Sequence, residues 1–447
     1  MLKQQKIFFD FLRFCIGSAK EIPDSLKEAD WKELYAIAKK QCLVGVLFDG
    51  IKKLPAEYVG MKKELLLQWM AESQMLEKAN VRLNDAAIQV SEWFRKKGFR
   101  TCILKGQGNA TMYLNPYSRT PGDIDIWVEG GDKRVISFVR SISPHEKACY
   151  HHIEFPSYKG VEVEVHYRPS FLLCFWHNRK LQKYYERMKE EQFSHRVMLG
   201  EQGEIAIPTV EFNIIFQLTH IYSHLMNEGI GLRQLLDYYY VICDFYKVYQ
   251  NSSKITPKEG DFSNHPVPLS KEGSTFSPSP SSSGSGDVTA PSRCSEPLRS
   301  KDGGPSKVSP DCAGWDRLDV SGDTTSDTAA RSSSTAIDRV QEELKELGLW
   351  KFAGGIMYIM KEVFGMHASR LIVPPNEKYG RFVLNEVLEA GNFGKHDERN
   401  RFGRSKLGHN LQRVYRDIRL VKYFPAEALS EPIFRAWHFF WRLKYKK

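Results

Sequence analysis

The sequence predicts an α+β fold: a small mixed sheet, flanked by helical regions on its N- and C-terminal sides. Two observations predict it. Apolar residues recur at spacings of three and four over residues 1–97, and again beyond about residue 172. Between them, residues 98–172 switch to short runs that alternate with period two, in the order strand, helix, strand, helix, strand, strand.

The elements follow in order. WKELYAIAKKQCLVGVLFDGIKKL (Trp31–Leu54) and the long stretch Met61–Phe94 have helical periodicity, and Lys96, Lys97 and Gly98 make a helix stop. FRTCILKG, from Phe99 to Gly106, is an apolar run closed by glycine, read as a buried strand and a turn. QGNATMYL predicts a short helix, and DIDIWV (Asp123–Val128) a strand. DKRVISFVRSI returns to helical spacing. HHIEF and VEVEVHY are two further strands, separated by Pro156 and Gly160. VEFNIIFQLTHIYSHLM and GLRQLLDYYYVICDFYKVY are amphipathic helices. Residues 252–336 are rich in Ser, Pro, Gly, Thr and Asp, with SPSPSSSGSGD at the centre. Such a segment buries too little apolar area to offset its chain entropy, so it reads as a disordered insertion. Helical periodicity resumes at IDRVQEELKELGLW and persists to residue 447, with breaks near Pro374–Pro375, Gly391 and Pro425. The expected parts are therefore 1–97, 98–172, 173–251, 252–336 and 337–447.

The 447 residues allow two or three domains. The net charge of +10 is concentrated: residues 395–447 hold 14 Lys/Arg against 5 Asp/Glu, or +9. That end suits an anionic partner, nucleic acid among them, or is a solvated helical surface. Its last helix, EPIFRAWHFFWRLKYKK, sets Phe434, Trp437, Phe440 and Trp441 as an aromatic stripe against basic residues. The eight cysteines form no CxxC pair, which argues against a disulfide framework or a zinc knuckle and suits a reducing, cytoplasmic setting. The N-terminal apolar stretch is interrupted by Asp10 and Arg13, unlike a signal peptide, and no run approaches the roughly 20 apolar residues of a membrane span.

The chemistry concentrates in the middle. Asp123 and Asp125 lie two apart on one predicted strand, so both carboxylates point the same way. Two like charges on an apolar strand repel, and a divalent cation such as magnesium removes the conflict. LKGQG at 104–108 supplies a glycine turn that lets backbone approach a phosphate, with Lys105 adding positive charge beside it. In VEVEVHYR at 161–168, Glu162, Glu164 and His166 share one strand face, able to bring a third carboxylate to the aspartate pair. Three carboxylates holding two metals support in-line phosphoryl transfer. Arg119, just before the DID strand, either reaches a phosphate or pairs with an acidic neighbour. His220 and His224 have a spacing that suits zinc, but no HExxH glutamate accompanies them, and packing against the central layer is expected. Arg233 and Asp237 share that spacing and read as an ion pair.

LKG, Arg119, DIDIWV and VEVHYR together resemble the uncharacterised nucleotidyltransferase family common in bacteria, part of the DNA-polymerase-β-like superfamily. The resemblance covers roughly 99–172 and extends more weakly to His220, His224, Arg233, Asp237 and the GNFG at 391–394. It implies a metal-dependent nucleotidyltransferase: a nucleoside triphosphate donor, by default ATP, two Mg2+ ions, and Asp123, Asp125 and Glu164 as catalytic metal ligands. Lys105, Gly106 and Arg119 would contact the nucleotide. Where the superfamily has Gly or Ser after the first glycine of the turn, this chain has Gln107, and where Asp is the commoner third carboxylate it has Glu164. The acceptor, whether protein, RNA, sugar or small molecule, is not implied. Two other classes stay open: a non-catalytic nucleotide-binding module, and a nucleic-acid-binding protein working through its basic tail.

Overall fold

The computed structural model describes residues 3–252, 326–399 and 406–445. Four helices come first: α1 (Lys3–Cys15), α2 (Trp31–Lys40), α3 (Val44–Ile51) and α4 (Lys63–Lys96). The side chain of Asp30 starts α2 by accepting the N–H groups of Lys32 and Glu33 at 2.9 and 3.2 Å. The 34 residues of α4 make a rod about 51 Å long. Then come β1 (Thr101–Ile103), α5 (Gln107–Ala110), β2 (Ile124–Val128), α6 (Gly131–Ile142), β3 (His152–Tyr158) and β4 (Val161–His166). Helix α7 (Phe175–Ser194), a hairpin of β5 (Arg196–Met198) and β6 (Glu204–Ala206), α8 (Val210–Asn227) and α9 (Leu232–Ser252) follow. The C-terminal region holds α10 (Ser326–Glu346), α11 (Trp350–Glu362), α12 (Glu377–Ala390), α13 (Lys406–Val421) and α14 (Pro425–Lys444).

The fold is α+β, as expected, with the strand, helix, strand, helix, strand, strand order intact. The main sheet runs β1-β2-β4-β3, with β2 and β4 parallel and the outer pairs antiparallel. Three local readings differ. Pro156 lies inside β3 instead of ending it; β3 is a sheet edge, where a missing N–H costs little, and the register shifts between Phe155 and Tyr158. The β5–β6 hairpin interrupts a stretch read as helical, because three-residue strands are too short for a period-two signal. Helix α10 starts at Ser326, inside the segment read as an insertion; most of that segment, 253–325, lies outside the described residues.

Two apolar clusters organise the chain. One joins the helical regions. The other packs Leu83, Val90 and Phe94 of α4 and Val135, Ile136 and Val139 of α6 against Ile124, Ile126 and Val128 of β2 and Val163 and Val165 of β4. Pleating sends the intervening residues to the other face. There Trp127 packs with Phe193 and Phe212, centroids 4.7 and 5.9 Å apart. Further out, Phe434, Trp437 and Trp441 of α14 surround Tyr150, at 5.4–6.3 Å. Phe440, about 120° round the helix from Phe434, stays exposed, so the aromatic stripe is narrower than expected.

Candidate active site

The same alternation that buries Ile124, Ile126, Val163 and Val165 places Asp125, Glu164 and His166 together on the opposite face. The parallel register pairs Asp125 with Glu164 and Trp127 with His166. Asp123 sits one residue before β2. Carboxylate oxygens of Asp123, Asp125 and Glu164 lie within 4.8 Å of one another. Glu162, on the same strand, is exposed to solvent.

Three negative groups this close would repel, and cations from other elements offset them. Nζ of Lys105 lies 3.0 Å from Oδ2 of Asp125. Nε2–H of His166 donates to Oδ1 of Asp125 at 2.9 Å and lies 3.4 Å from Oε2 of Glu164. Nδ1 of His152 stands 3.3 Å from the same Glu164 oxygen. Asp125 is only 2% exposed, and burial alone would raise its pKa; Lys105 and His166 outweigh burial and hold it below the usual aspartate value. Glu164 falls to about 2, because His166, His152 and Lys105 overcome the effect of burial. Burial opposes the charged form of His166, but Asp125 and Glu164 raise its pKa to about 9. Lys105 is likewise raised, the carboxylates outweighing its burial.

Lys105 reaches Asp125 because it follows β1 directly, where the Leu104 N–H still bonds to the Asp125 carbonyl at 3.0 Å. Gly106 then turns the chain with φ +62 and ψ −108, a conformation side chains disfavour. The helix after it, α5, is a single turn. Gln107, where the superfamily has a small residue, is buried and anchored to α4 through the side chain of Asn84. Behind Lys105 lie the two α8 histidines. Nε2 of His220 is 3.1 Å from Lys105 Nζ, Nε2 of His224 is 2.9 Å from His220, and Nδ1 of His224 is 3.3 Å from Glu228. Burial, with Lys105 next, pushes the His220 pKa well down, so its neutral ring accepts from the ammonium.

Arg119 is 2% exposed and gives Asp237 two hydrogen bonds of 2.8 Å, while Tyr113 donates to the same carboxylate at 2.6 Å. The side-chain amide of Asn80 on α4 donates to the carbonyls of Tyr117 and Arg119 at 2.8 Å each, holding the loop that enters β2. Asp237 therefore takes Arg119, and not the expected Arg233, as its ion-pair partner.

Residues 27–248 match the family described as an uncharacterised nucleotidyltransferase. That stretch belongs to the nucleotidyltransferase family. No curated protein and no solved structure matches the chain. The nucleotidyltransferase stretch runs from just before α2 nearly to the end of α9. It contains each of Lys105, Gly106, Arg119, Asp123, Asp125 and Glu164, so the resemblance carried by residues 99–172 extends over the flanking helices. No described helix is long and apolar enough to cross a membrane. The reading from sequence passed over His151 and His152, although adjacent histidines opening a strand beside an acidic one were a visible signal. Their pKa values are depressed mainly by burial, His152 to about 4.

Proposed function

We propose that this chain transfers a nucleoside monophosphate from a nucleoside triphosphate to a hydroxyl acceptor, with pyrophosphate released, at a two-metal site formed by Asp123, Asp125 and Glu164. The observation that carries the reading is the parallel register that seats Glu164 beside Asp125, so that oxygens from all three carboxylates converge within 4.8 Å. An all-oxygen donor set of this kind fits Mg2+, and the approach of Lys105 to one oxygen of Asp125 and of His166 to the other supports a site that calls for positive charge. Two such ions supply Lewis acidity and charge neutralisation at the attacking and leaving oxygens.

The chain's own groups have distinct tasks. Asp123, Asp125 and Glu164 provide the carboxylate oxygens. His166 holds Asp125 and Glu164 in place through Nε2. Lys105 and Gly106, at the turn after β1, face the triphosphate: the ammonium pairs with phosphate oxygen, and the side-chain-free turn lets backbone approach it. Arg119, buried against Asp237, is assigned to ordering the loop before β2. ATP is the default donor, and the acceptor is sought among RNA, protein, sugar and small molecules.

The test is pyrophosphate release from each NTP with Mg2+, with and without cell extract, using a labelled nucleotide to find the acceptor. Wild-type protein should label one fraction, and Asp123→Asn should not. Normal transfer by Asp123→Asn sinks the two-metal reading. Salt-sensitive RNA or DNA binding with no pyrophosphate release at all would instead favour a binding protein.

A further inference from the structure

The structure brings together a second ligand set, of different chemistry, from segments some 250 residues apart. Cys174 is the N-cap of α7, and His177 lies in its first turn. Glu427 lies in the first turn of α14. The thiol sulfur, an imidazole nitrogen and a carboxylate oxygen fall within 4.8 Å of one another. We propose that Cys174, His177 and Glu427 hold a zinc-class transition-metal ion that ties the start of α7 to the start of α14.

The carboxylate of Glu427 is oriented but half satisfied. Its Oε2 accepts the N–H groups of Leu173 and Cys174 at 2.6 and 3.2 Å. Its Oε1, on a side chain only 3% exposed, makes no hydrogen bond among the described residues. A buried carboxylate oxygen without a partner is costly. What faces it is Nδ1 of His177, 3.7 Å away. That is too long for a hydrogen bond. It is a few tenths of an ångström beyond the spacing of two such ligands on one ion: zinc–nitrogen and zinc–oxygen bonds of about 2.0–2.2 Å in a tetrahedron put the two atoms about 3.3–3.5 Å apart.

The histidine ring is also held. Gly348, in the turn between α10 and α11, has φ +69, and a Cβ there would sit 2.3 Å from Cε1 of His177. The missing side chain is the space that the ring fills. Sulfur, nitrogen and oxygen donors together select zinc-class ions over Mg2+, which prefers oxygen alone. His177 remains 27% exposed, which would leave a fourth position open to a water ligand from the solvent side. Cys149, His151 and His152 form a comparable group, but His152 touches Glu164, so that group belongs to the active site.

Cobalt substitution tests the assignment in the full-length protein, with excess Mg2+ present to occupy the carboxylates. Wild type should bind one Co2+ and show a thiolate-to-cobalt charge-transfer band, which Zn2+ abolishes by displacement. The band should vanish in Cys174→Ser and persist in Cys149→Ser, and Glu427→Gln should weaken Co2+ binding at least tenfold. X-ray absorption of zinc-loaded wild type and zinc-loaded Cys149→Ser covers the case in which Cys174→Ser fails to fold: one sulfur in the first shell of each is expected. Absence of the band in wild type overturns the proposal, as does its loss in Cys149→Ser with retention in Cys174→Ser, or a sulfur-free first shell. None of these readouts depends on nucleotidyl transfer.

Discussion

Among single residues, the two aspartates of the DID run differ. Asp125 is buried and serves as counter-charge for both Lys105 and His166, whereas Asp123 is partly exposed. Relief of like-charge repulsion, which the bare sequence suggests for either one, applies only to Asp123. Asp125→Asn removes the nearest counter-charge of buried His166 and part-buried Lys105 and should cost about 3–5 kcal/mol of stability. Asp123→Asn should leave the urea midpoint near wild type while lowering transfer by at least about 100-fold. Equal midpoints for the two variants would contradict this charge pairing. Arg119 gives a second residue-level expectation. Its fork matches Asp237 in a way lysine cannot, so Arg119→Lys should lower stability by about 2–4 kcal/mol with KM for the NTP unchanged. A tenfold rise in KM with no loss of stability would return Arg119 to the phosphate.

Between elements, α13 and α14 share an acidic pair within a basic surface. Glu431 is 4% exposed and pairs with Arg435 at 2.8 Å. Burial, and then the neighbouring Glu431, raise the Asp417 pKa from 3.8 to about 7. An acid with a raised folded-state pKa favours the folded state while protonated, and that contribution is lost as pH climbs from 3.8 to about 7. Asp417→Asn should therefore gain stability relative to wild type between pH 5 and pH 8, with most of the gain reached by pH 7. Urea midpoints at those pH values check it, and a gain confined to the acid side would refute it. Asn80 is the other inter-element device. With both loop carbonyls left unsatisfied, Asn80→Ala should cost about 1–3 kcal/mol and loosen the loop that carries Arg119, seen as faster hydrogen exchange at residues 117–120.

At the scale of the whole molecule, α9 and α10 carry the core on either side of the segment 253–325. Ile242 and Phe245 before it and Ala336 and Val340 after it belong to one apolar cluster. Joining the two helices directly should therefore be tolerated. Replacing 256–325 with a short Gly/Ser linker changes loop-closure entropy by only about 1–2 kcal/mol and should leave cooperative unfolding and transfer near wild type. Loss of a single unfolding transition would show that the segment is structural. The basic C-terminal region is less free than its charge implies: Arg399 and Arg419 reach Glu386, and Arg435 reaches Glu431.

What the sequence determined by itself was local and periodic. Alternation at 123–128 and 161–166 was enough to put Asp125, Glu164 and His166 each on the polar face of its own strand, because the pleat repeats every two residues. Helical spacing was enough for α4, α8 and α9. The tertiary structure decided partnership. Alternation leaves the two glutamates of VEVEV on one face; the family resemblance favours Glu164, and the β2–β4 register pairs it with Asp125 while Glu162 meets solvent. Asp237 had an arginine four residues away on its own helix, but Arg119, more than a hundred residues earlier, presents the matching fork. Cys174 and Glu427 carry no joint signal in sequence. Their meeting depends on how α7 and α14 pack, and packing is a property of surfaces brought together by the whole core, not of any repeat along the chain.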